Sequence, residues 1–180
     1  MFDLRVSGMS FDNGLQIVQA DVLLSIDGET VIDEPLCIDV GLPALLLSGL
    51  EEMEPYRWAP ASEWRRMPFF VCGCGDPECR GYSFRVKHTG GGQAEWTLVE
   101  EAEDGTYREH ETYRISADEC RTQLLELGER FLAFVEPLDY NPYFADTVPV
   151  VKELVARLKI SAGGAGGSDG EDGENAVRGV

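Results

Sequence analysis

A chain of 180 residues suits one domain, and at that size folding buries about 70% of the surface the unfolded chain exposes, so neither a disulfide framework nor a metal is needed to fold it. Its 33 acidic residues against 15 basic ones give a formal net charge of -18. Such a surface repels nucleic acid and anionic membranes, and either simply keeps the chain soluble or favours a basic protein as partner.

The first residues, Met1 to Val6, show no basic start followed by an apolar run, so no export signal is expected. The longest apolar-rich stretch, Val40 to Leu50, is far too short to span a bilayer. Five cysteines are an odd number. They point to a reducing, cytoplasmic setting with free thiols or metal ligands rather than paired disulfides.

Leu15 to Ile26 is rich in aliphatic and β-branched residues and predicts a strand. Asp27-Gly28 is a two-residue turn, and Thr30 to Val40 reads as the return strand, with Pro35 marking an edge or a bulge. With the earlier turn at Asp12-Asn13-Gly14, this region predicts a meander of two or three antiparallel strands. Pro43 suits the first turn of a short helix through Leu47. Residues 51–67 read as a long loop in which Trp58 and Trp64 pin the chain to the core or, with Arg65 and Arg66, offer a binding surface.

A second meander of about four strands runs from Pro68 to Ile115. Tyr82 to His88 alternates apolar and polar residues, Gly90-Gly91-Gly92 is a turn, Ala94 to Val99 is the next strand, and Tyr107 to Ile115 the last. Ser116 with Glu119 three residues on is a capping-box signature for a helix to about Val135, whose apolar stripe is Cys120, Leu124, Leu127, Phe131 and Val135. Asp146 or Thr147 caps a final helix striped by Val150, Val151, Leu154, Val155 and Leu158. The expected architecture is α+β: antiparallel β meanders packed against C-terminal helices, in a single domain over 1–160. Residues 161–180, rich in glycine and acid, are expected to form a disordered tail.

The densest chemical signal is Cys72-Gly73-Cys74-Gly75-Asp76-Pro77-Glu78-Cys79. Two glycines and a proline impose a tight turn between strands, so three sulfurs can converge as thiolates on zinc. A fourth ligand would be His88, the nearest by sequence, with Cys37, His110 and Cys120 as other options. The same spacing also suits small thiols packed in a core, or redox chemistry. The run Pro68-Phe69-Phe70-Val71-Cys72-Gly73-Cys74-Gly75, then Cys79, an alternating strand and a strand bearing Trp96, resembles a group of small bacterial proteins of unknown function. The resemblance covers about residues 68–135 and implies no activity.

No phosphate-binding glycine loop, serine nucleophile elbow or zinc-protease helix is present, which argues against an enzyme. Two acidic runs, Glu51-Glu52-Glu54 and Glu100-Glu101-Glu103-Asp104, are either solvated loops or the surface that meets a basic partner. The sequence therefore carries two functional expectations. One is a small acidic intracellular binding protein, of the kind that inhibits a basic protein as an immunity protein does, steered by charge. The other is a zinc-binding or thiol-dependent protein centred on Cys72, Cys74 and Cys79.

Overall fold

The computed structural model describes residues 1–163. Seven strands form one antiparallel sheet in simple meander order: β1 (Phe2–Asp12), β2 (Ile17–Ile26), β3 (Glu29–Cys37), β4 (Phe70–Val71), β5 (Gly81–Gly90), β6 (Gln93–Glu101) and β7 (Tyr107–Ser116). Helix α1 (Leu42–Ser48) and a 3₁₀ turn, Ala61–Arg66, lie in the connection between β3 and β4. Helices α2 (Ala117–Val135) and α3 (Thr147–Gly163) follow the sheet, so the fold is α+β. The end of α3 takes in Ser161, Ala162 and Gly163, three residues of the expected tail. The rest of that tail lies outside the described residues.

The two predicted meanders are thus one sheet, joined by the shortest strand. β4 pairs with β3 through Cys37 and Val71 alone, and with β5 through Phe70–Tyr82 and Val71–Gly81. Pro35 is tolerated because β3 is paired on that side only at Cys37, so the missing N–H leaves no ladder bond unmade.

The alternating strands put their apolar side chains on one face, and the sheet curls around them. Trp96 of β6 meets Phe2 of β1 edge-to-face at 5.3 Å, and lies 5.1 Å from Phe69 and 5.3 Å from Phe84. Each such aromatic pair contributes about 0.5–1.5 kcal/mol beyond the area it buries. The expected stripe of α2 is buried throughout, and in α3 Val151, Leu154, Val155 and Leu158 are buried while Val150 is only partly so. Gly128 lets α2 approach α3 and α1, since a Cβ there would lie 2.6 Å from Val155 of α3 and 3.2 Å from Leu46 of α1.

Helix α2 also seals a sheet edge. Ser116 caps it, accepting from the Glu119 N–H at 3.3 Å. The reciprocal half of the expected capping box is diverted: Glu119 Oε2 accepts instead from the Phe2 N–H of β1 at 3.2 Å. Four residues on, Gln123 accepts from the Leu4 N–H at 2.6 Å and donates to the Phe2 carbonyl at 2.6 Å. Arg130 donates to the Val6 carbonyl at 2.6 Å. Residues 119, 123 and 130 share a helix face, and Phe2, Leu4 and Val6 share a strand edge, so the helix supplies the ladder partners that a further strand would otherwise provide. Gln123→Ala leaves two of these groups unpaired and is expected to cost about 1–3 kcal/mol in urea unfolding. A loss under about 0.5 kcal/mol would show that water replaces the glutamine.

Candidate metal centre at the Cys72–Cys79 turn

The cysteine turn begins where β4 ends and closes where β5 starts. Two tight turns shape it: the Gly75 N–H donates to the Cys72 carbonyl at 2.9 Å, and the Cys79 N–H to the Asp76 carbonyl at 3.2 Å. Asp76 Oδ1 holds the second turn by accepting from the Glu78 N–H at 2.9 Å. Gly75 has φ +77°, and a Cβ there would fall 2.7 Å from Ile17 Cγ2, so only glycine lets the turn lie on β2. Gln19 donates to the Gly73 carbonyl at 2.6 Å, and Arg80 binds Glu34 through both terminal nitrogens, one at 2.7 Å. Tyr82 donates to the same carboxylate. The turn is therefore tied to β2 and β3 rather than left as an open loop.

This frame brings Cys72, Cys74 and Cys79 together with all three sulfurs within 4.8 Å of one another. The closest pair, Cys72 and Cys74, is 2.8 Å apart. A tetrahedral ion with metal–sulfur bonds of about 2.3 Å needs sulfurs about 3.8 Å apart, so Cys72 and Cys74 would part by about 1 Å to share one. The three residues could hold a metal ion. Cys74 and Cys79 are exposed and Cys72 is half-buried, so the reading of these residues as core thiols is overturned. Burial pushes the Cys72 thiol up, but hydrogen bonds from the Cys74 and Cys79 thiols and from the Cys74 and Arg80 amides outweigh it and bring the thiol below its usual range. Hydrogen bonds to Cys72 and Cys74 push Cys79 up to about 11. One sulfur of the three thus gives up its proton more readily than a free thiol, and another holds its proton more tightly.

His88, the expected fourth ligand, does not join the group. It lies seven positions beyond Gly81 on β5, and at about 3.3 Å per residue the strand carries it on the order of 23 Å away. There its Nε2 meets the Ser48 carbonyl at 3.1 Å. His110 sits on β7 against Glu100 at 3.2 Å. Cys120 is buried in α2. Cys37 faces a small apolar cluster with Ile17, Val40 and Val71, and its thiol donates to Asp39 Oδ1 at 3.0 Å. Among the described residues the metal-ligating group is the three cysteines alone.

The acidic residues expected to meet a partner are mostly engaged within the chain. Glu101 is buried: it pairs with Arg57 Nε at 3.2 Å, with the two side chains 2% and 12% exposed, accepts from the Arg57 N–H at 2.8 Å, and accepts from Ser83. Removing either member of such a pair costs about 3–5 kcal/mol, because the other is left buried and uncompensated. Glu101 clamps the 51–67 loop to the sheet and is not available to a partner. Glu51 binds Arg65 at 2.9 Å and Arg157 at 2.6 Å, and these arginines hold its carboxyl below the usual range. Glu100 binds Arg108 at 2.8 Å, Glu54 accepts from Tyr107 at 3.1 Å, and Asp104 caps its turn by accepting from Thr106. Glu103 lends its backbone carbonyl to the Tyr56 hydroxyl at 3.1 Å, and its side chain, like that of Glu52, is exposed. The tryptophans of the same loop are partly buried, with Arg57 over Trp58 and Arg65 over Trp64.

A second cluster lies beneath the turn. Asp39 is buried, accepting from Cys37 and, at 2.7 Å, from the Tyr140 hydroxyl. The isolated acid within the apolar run Leu36 to Val40 is the signal that could have found it; nothing local points to Tyr140, 101 residues on. Burial pushes the Asp39 carboxyl above its usual range, against the pull of both hydrogen bonds.

No family model, curated protein or solved structure matches this chain. No helix among the described residues is long and apolar enough to cross a membrane.

An acid whose folded pKa exceeds its unfolded value of about 3.9 holds its proton longer when folded. Its stabilising effect is therefore fullest below the unfolded pKa and is lost as pH rises through the folded pKa. Asp39→Asn removes that titration, so the stability of the variant relative to the natural chain is expected to rise as the pH is raised above the unfolded value of about 3.9 in paired urea unfolding curves. A difference that does not change with pH would contradict the assignment.

Proposed function

We propose that this chain is a small zinc-binding protein in which Cys72, Cys74 and Cys79 hold one zinc ion as thiolates. The observation that carries the proposal is the convergence of three sulfurs within 4.8 Å on a turn whose backbone is fixed by its own hydrogen bonds. A ligand set already gathered on one turn lowers the ordering cost of binding, and the amides directed at Cys72 favour its charged form. Zinc suits the set because it is borderline-soft, accepts thiolate sulfur, and imposes no geometry beyond four-coordination. The reading as an inhibitor of a basic protein draws less support. Its candidate residues Glu51, Glu100 and Glu101 already have cationic partners within the chain.

Binding must displace the Cys79 proton, so zinc affinity is expected to rise with pH and fall on acidification. Protein purified without chelator or added metal is expected to carry one zinc per chain, by elemental analysis and native mass spectrometry at neutral pH, and to lose it on acidification. Cys79→Ser, an exposed position, is expected to lose most of that zinc while keeping the unfolding midpoint of the metal-free natural chain. Metal-free natural protein whose three thiols react at once with a thiol probe, and which takes up no added zinc, would overturn the proposal.

A further inference from the structure

We infer that the metal at this turn keeps one coordination position for a ligand from outside the chain, and that this ligand is an uncharged nitrogen donor of the imidazole class. The inference rests on the metal-thiolate reading above. Among the described residues, the donors that the sequence offers as a fourth ligand are placed elsewhere. The chain has two histidines, and these rest on the Ser48 carbonyl and on Glu100. Cys37 is turned to Asp39, and Cys120 is buried in α2. Of the carboxylates on or against the turn, Asp76 accepts from the Glu78 amide, Glu34 is held by Arg80 and Tyr82, and the Glu78 side chain is exposed. None of them joins the three sulfurs in one ligand group. Zinc completes four ligands, and sites with three from the protein take the fourth from solvent or substrate. The exposure of Cys74 and Cys79 leaves that side of the site in contact with solvent.

Charge selects among possible fourth ligands. Three thiolates around a divalent ion leave one net negative charge, and a fourth anion would leave two. That second charge would sit beside Asp76 and Glu78 in a chain of net charge -18, and the neighbouring Arg80 is already bound to Glu34. Like charges at this range disfavour an anionic ligand. An uncharged donor adds no charge, and among uncharged biological donors imidazole nitrogen is the commonest metal ligand. The turn is therefore a three-sulfur socket that selects against carboxylates and thiolates and accepts a histidine-like ring.

The test uses the full chain loaded with cobalt(II), whose absorption reports its ligands, titrated separately with imidazole and with acetate. Imidazole is expected to shift the cobalt spectrum saturably with one-to-one stoichiometry and at least about tenfold higher affinity than acetate. A cobalt spectrum that shows sulfur ligation yet ignores imidazole, or responds to acetate as readily, would overturn this inference and leave the metal-thiolate reading standing. Failure of the chain to bind cobalt at all would overturn both.

Discussion

Two residues hold this fold in one piece. Phe70 and Val71 are the whole of β4, and their pairings with Cys37 on one side and with Tyr82 and Gly81 on the other turn two separate meanders into a single sheet. So short a strand has little ladder energy of its own; its place is fixed by burial and close approach. Both side chains are fully buried, and the chain just before them presses on Gly41, where a Cβ would lie 2.1 Å from the Pro68 carbonyl oxygen. The candidate metal turn starts at the next residue. Its sulfurs are consequently positioned by the most constrained point of the sheet, which is why a surface turn with two exposed cysteines has a defined geometry.

The acidic composition has a structural side as well as a surface one. Arginines hold carboxylates within the chain: Arg57 takes Glu101, Arg157 takes Glu51, and the exposed Arg80 takes Glu34. These pairs join elements distant in sequence, tying the 51–67 loop to β6, the end of α1 to α3, and the cysteine turn to β3. Exposed ion pairs contribute little to stability, so among these the Arg57–Glu101 pair is the one whose loss would matter most. An acidic count alone cannot distinguish such internal counterions from a docking surface.

Much of the fold was legible because its signals are local. The alternation of Tyr82 to Val86, the glycine turns, the Ser116 cap and the stripe of α2 each lie within a few residues of one another, and each is found where expected. The single sheet was not legible, since a two-residue strand has no period to read. Neither was the diverted role of Glu119, whose side chain is claimed by Phe2, 117 residues away. At the candidate site the convergence of Cys72, Cys74 and Cys79 followed from the glycines and proline between them. The fourth ligand did not, because closeness in sequence along an extended strand means distance in space, and His88 is carried away from the turn that precedes it.

The most direct test of this account is zinc K-edge X-ray absorption on the purified chain, counting the atoms around the metal. The account predicts three sulfurs at about 2.3 Å and one lighter nitrogen or oxygen at about 2.0 Å. Four sulfurs, or a shell of nitrogen and oxygen alone, would contradict it.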